Sequence, residues 1–111
     1  MRILQYAMAV GTLVVFWLPP GTSTNGHNKF RFWCYGREVS SWGGRYRYWR
    51  PGVLERFPHV LLYTGVLIVG ATDGRPLARL LGQKGAEVVI REVGLTKADQ
   101  RRLRRGSAGP G

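Results

Sequence analysis

The chain has 111 residues, 44% of them apolar, with seventeen Lys and Arg against six Asp and Glu, a formal net charge of +11. That length holds one domain, and the single cysteine, Cys34, excludes the internal disulfides on which small secreted scaffolds depend. The positive balance points to an anionic partner, whether phospholipid, nucleic acid or acidic protein, and a reducing compartment such as the mitochondrial matrix or a cytoplasm suits the lone thiol.

Residues Ile3 to Leu18 (ILQYAMAVGTLVVFWL) form an uncharged run directly behind Met1 and Arg2. As a helix the run spans roughly 24 Å against roughly 30 Å of hydrocarbon. That is sufficient if Trp17 marks the interface and the bilayer thins locally. Pro19, Pro20 and Gly21 stop it, since neither proline donates a backbone hydrogen bond. A cleavable signal peptide has the same layout, with Arg2 before a short apolar core and Gly21-Thr22-Ser23 as small residues ahead of a cut. Retention of Met1 favours the uncleaved form, so residues 1–20 are expected to make an N-terminal transmembrane helix.

Residues 21–56 are expected to form an irregular extramembrane loop. Eight of the thirteen aromatic residues fall between Phe30 and Trp49, interleaved with Arg31, Arg37, Arg45 and Arg47 and followed by Arg50. Arg45-Tyr46-Arg47-Tyr48 alternates as an extended segment, bracketed by Gly43-Gly44 and Pro51-Gly52 as turns. Residues 57–72 contain the second apolar block, uncharged from Val60 to Ala71, which reads as a possible second transmembrane helix; its β-branched content equally allows a buried strand. Residues 73–111 form a basic tail. Within it Leu77 to Lys84 is helix-prone and Glu87 to Val93 strand-like. Thr96 precedes a short basic helix, with Asp99 at capping-box spacing and Arg101, Arg102, Arg104 and Arg105 near its end. The fold class expected is thus a mainly α membrane protein.

Charge bears on topology. With two spans, residues 21–56 carry seven basic and two acidic groups, and residues from Asp73 onward carry nine and four, so the positive-inside rule does not decide the orientation. With one span, every basic residue except Arg2 lies on one side, and the rule is satisfied.

No catalytic, cofactor or metal site is expected. Cys34, His27 and His59 are not at metal-ligand spacing, and no nucleophile is accompanied by a histidine and an acid. The residues expected to meet lipid headgroups or neighbouring subunits are Trp17, Trp33, Arg45, Arg47, Trp49 and Arg50, with aromatic rings at headgroup depth and guanidinium groups on lipid phosphate. The same residue types stack on bases and contact phosphates in RNA-binding proteins, which is the main alternative.

Two resemblances follow from particular residues. Val66 to Glu92 (VLIVGATDGRPLARLLGQKGAEVVIRE) resembles the opening β-α-β of dinucleotide-binding Rossmann proteins, with Glu92 at the distance of their ribose-binding acid. Thr72 and Arg75 stand where the second and third glycines of that fingerprint fall, so a working nucleotide site is not expected. Ala71-Thr72-Asp73 with Arg75, after an apolar run, resembles the smallest single-span subunit of the cytochrome bc1 complex. The chain is similar in style to accessory subunits of mitochondrial respiratory complexes. That resemblance implies a non-catalytic structural subunit of the mitochondrial inner membrane, held by other subunits of a large complex and by anionic phospholipid, cardiolipin being the natural candidate. A ribosomal or RNA-binding protein and a degenerate nucleotide-binding protein are the alternatives.

Overall fold

The described part of the first apolar block and most of the second are strands in the structure, a computed structural model that describes residues 9–105. The first supplies β1 (Val10–Trp17). Then come α1 (Thr24–Tyr35), β2 (Gly36–Ser41), β3 (Tyr46–Pro51), a 3-10 turn (Val53–Arg56), β4 (His59–Tyr63), β5 (Val66–Gly70), α2 (Gly74–Gln83), β6 (Glu87–Gly94) and α3 (Lys97–Arg104). The strands β4-β5-β1-β6, in that order, form one antiparallel sheet, while β2 and β3 form a separate two-stranded ribbon.

The expectation of a mainly α membrane protein is therefore corrected. Residues 1–8 of the expected first span lie outside the described residues, and the rest of its apolar part is β1, an inner strand paired on both sides. The expected second span, 57–72, holds the β4–β5 hairpin. No described helix is long and apolar enough to cross a membrane. The transmembrane reading falls with this, and nothing in the fold supports the respiratory-chain and mitochondrial assignment that was built on it. Residues 21–56 and 73–105 are not loop and tail but integral parts of the fold.

The physical reason lies in how β1 is covered. Val14 and Phe16 point into a cluster with Leu67, Val69, Leu77 and Leu81, under α1 and α2. Leu13, on the other face, packs against Val60, Ile68 and Leu95, with Leu103 of α3 above them. A strand buried on one face and half-buried on the other takes apolar side chains at most positions, and so reads as a continuous hydrophobic run. The valines and aromatics of VGTLVVFW suit a pleated surface better than a helix.

Local signals set the remaining boundaries. Ser23 caps α1 by accepting from the Gly26 N–H at 2.9 Å. Thr96 and Asp99 close a capping box on α3, at 3.0 and 3.2 Å. A Cβ at Gly74 would stand 2.5 Å from Thr12 Cγ2, so a glycine lets α2 start directly against β1. Cys34 is fully buried at the end of α1. Burial pushes its thiol up to about 12, so it stays protonated near neutral pH and serves as core, not as a nucleophile.

The segment resembling a dinucleotide-binding unit does form strand, helix and strand. However, β5 and β6 each run antiparallel to β1, which lies between them. They are parallel to each other but not neighbours. This split arrangement differs from the adjacent parallel strands of the Rossmann crossover.

Candidate nucleic-acid interface

The ribbon β2–β3 stands off the sheet, and every residue of β3 is exposed. Its register decides what each face carries. Arg37 lies opposite Arg50, Val39 opposite Tyr48, and Ser41 opposite Tyr46. Residues directly opposite in an antiparallel pair share a face, and faces alternate along each strand. One face therefore holds Arg37, Arg50, Tyr46 and Tyr48 with Val39 and Ser41, and contains no carboxylate. The other holds Glu38, Trp49, Ser40 and Arg47. There Arg47 pairs with Glu38 at 3.6 Å, and the Trp49 indole donates to Glu55 Oε2 at 2.9 Å.

The ribbon tip extends the acid-free face. Trp42 is 78% exposed and sits edge-on to Tyr46, with ring centroids 6.3 Å apart. Its φ of 56° puts it in the left-handed region, the one non-glycine among the described residues to do so. Gly43 and Gly44 follow with φ of 66° and 90°, and Arg45 closes the turn by donating its N–H to the Trp42 carbonyl at 3.3 Å. A large ring held out in water on a strained backbone is a feature that folding alone does not call for.

At its foot, the same face runs into an open cleft of about 870 Å³ between α1 and the 3-10 turn. Lys29, Arg37, Arg50 and Arg56 line it, with Phe32 and Trp33 as apolar wall and Asn25 and Asn28 as amide donors and acceptors. Glu55, the acid that lines it, already receives the Trp49 indole. Arg37 is fixed at the mouth, its Cζ 4.5 Å from the centroid of the Phe32 ring. Gly52 lets the chain turn here against α1: a Cβ would collide with the Cys34 carbonyl.

The six expected contact residues separate accordingly. Arg50 belongs to the acid-free face and the cleft. Arg45 is in the turn at the tip. Arg47 and Trp49 are on the opposite face, each engaged with a carboxylate. Trp33 packs on Phe30 at 5.6 Å, with Lys84 Nζ 5.4 Å from its ring, and shows one side to the cleft. Trp17, 44% exposed, ends β1 beside Glu87, in the four-stranded sheet rather than on the ribbon. Arg37, Tyr46, Tyr48, Trp42 and Lys29 were not among the expected contact residues. The period-2 alternation of β3 was the signal that could have separated Tyr46, Tyr48 and Arg50 from Arg45, Arg47 and Trp49.

A second hollow, of about 390 Å³, lies where the Rossmann-like segment turns from β5 into α2, beside Thr72, Arg75, Arg91 and Glu92. Among the described residues no group of His, Cys, Asp and Glu could hold a metal ion. No protein family, curated protein or solved structure matches this chain.

Proposed function

We propose that the chain is a non-catalytic binding module for single-stranded nucleic acid, which it holds along the acid-free face of the ribbon and into the cleft at its foot. The observation that carries this is the sorting of charge by the strand register: on one face the two strands contribute arginines and tyrosines and no carboxylate of their own, and on the other the arginine and tryptophan are tied to Glu38 and Glu55. Trp42, Tyr46 and Tyr48 offer exposed rings to unpaired bases, each stack being worth roughly 1–3 kcal/mol. Arg37, Arg50, Lys29 and Arg56 offer cations to the phosphates between them. Stacking accepts any base, so the binding is expected to be sequence-tolerant and strongly salt-dependent.

The case for a lipid surface leaned on the two apolar blocks as membrane spans. With the described part of the first block and the hairpin of the second in the sheet, no described helix serves the ribbon as a membrane anchor. Titration of a labelled oligouridylate of about ten nucleotides into the full chain, followed by anisotropy, tests the reading. Saturable binding that weakens steeply with salt, and that anionic vesicles fail to displace, is the expected result. Binding to the vesicles in place of the oligonucleotide would overturn it.

A further inference from the structure

The outer edge of β6 is the longest strand edge with no described strand paired to it. Phe16 donates its N–H to the Gly65 carbonyl at 2.9 Å, so the even-numbered residues of β1 turn their backbone groups toward β5 and the odd-numbered ones toward β6. In β6 the partners of those odd-numbered residues are Glu87, Val89, Arg91 and Val93. The N–H and C=O groups of Val88, Ile90 and Glu92 consequently face outward, where no described strand lies beside them. The Arg91 guanidinium agrees with this placement: it donates to the outward Ile90 carbonyl at 2.7 Å.

We propose that β6 pairs with β6 of a second copy of this chain, antiparallel about a twofold axis at Val89, joining two four-stranded sheets into one. The charges on the strand select this register. With Val89 opposite its own symmetry mate, Glu87 of each copy lies directly across from Arg91 of the other, on the same face. Val88 lies across from Ile90, and these two carry outward backbone groups, so each exchanges both its hydrogen bonds with the other copy. Moving the axis two residues toward the C-terminal end sets Arg91 against Arg91, two residues toward the N-terminal end sets Glu87 against Glu87, and centring it on Val88 sets Glu87 against Val89. Centring it on Ile90 sets Arg91 against Val89. Only the Val89-centred register pairs opposite charges across the junction, and opposite charges directly across an antiparallel pair attract where like charges repel. The Ile90 carbonyl, released by Arg91, then accepts from the backbone of the second copy, and the freed guanidinium reaches Glu87. This dimer does not depend on nucleic-acid binding, though it would carry two ribbons.

The test is a charge-exchange series on the nuclease-treated full chain, with mass measured by sedimentation equilibrium across a concentration series. Within one chain, residues 87 and 91 are about 13 Å apart along the strand, too far to pair with each other. The wild type is expected to dimerise. Glu87→Arg and Arg91→Glu, each placing like charges across the axis, are expected to weaken dimerisation by about tenfold or more. The variant carrying both exchanges is expected to recover it, since the cross-axis pairs are restored with their signs swapped. Circular dichroism of all four chains separates loss of dimer from loss of fold. A wild type that is monomeric throughout would show that Glu87 and Arg91 merely guard the edge, and single variants that dimerise like the wild type would exclude this register; either result overturns the proposal.

Discussion

Reversing Arg37 and Arg50 together, R37E with R50E, is expected to lower affinity for a single-stranded oligonucleotide by on the order of 100-fold. A charge-assisted hydrogen bond to phosphate contributes at least about 1.5 kcal/mol, and two of them about 3 kcal/mol, which is two decades in Kd. The plot of log affinity against log salt should also become shallower, as fewer counterions are released. R47E is the internal control. Its guanidinium is on the other face and already pairs with Glu38 at 3.6 Å, in an ion pair whose side chains are 68% and 61% exposed. Such a pair contributes little to stability, and its loss should leave affinity within a fewfold of wild type. Equal losses for R47E and for the R37E/R50E pair would mean that only net charge matters and that the two faces do not differ. Both sets lie on an exposed ribbon outside the core, so the sheet should tolerate either.

The second large effect concerns β1. Val14 has no exposed surface and lies between Leu67 of β5 and Ile90 of β6. Val14→Asp places a carboxylate there, among the apolar side chains of the core cluster. The loss of valine burial and the desolvation of a charge together amount to several kcal/mol. Domains of this size have only about 5–15 kcal/mol of stability in all, so the variant should not fold. Trp17→Asp, three residues further along the same apolar run but 44% exposed at the strand end, should fold with a small loss. Circular dichroism and thermal melts of the two variants make the comparison. Two variants equally damaged would contradict the placement of Val14 in the buried core and of Trp17 at the open strand end.

How far the sequence disclosed this arrangement depends on the segment. Thr96 with Asp99 announced α3, because capping is local chemistry that tertiary packing does not override. Arg45 to Tyr48 announced an extended segment for the same reason, since alternation is a local pattern. VGTLVVFW misled because hydropathy records burial without recording what does the burying. A strand covered by α1 and α2 on one side and α3 on the other has the same uncharged run as a short membrane helix, and at eight residues it sits within the usual length of strands. Val66 to Glu92 showed strand, helix and strand correctly, but not that β1, from the far end of the chain, enters between the two strands. At the site, composition located the ribbon but not its working face. Arg37 belongs with Arg50 only because the hairpin register sets them opposite, and Arg47 is removed from the set only because Glu38 lies diagonally across from it.

Amide and arginine side-chain NMR of the full chain, recorded during titration with a short oligouridylate, tests the central claim most directly. The account predicts shifts concentrated at Arg37, Trp42, Tyr46, Tyr48 and Arg50 and at the cleft residues Lys29 and Phe32, with Glu38, Arg47 and α3 little changed. Shifts confined to α3 and its arginines, or spread evenly over every basic surface, would contradict it.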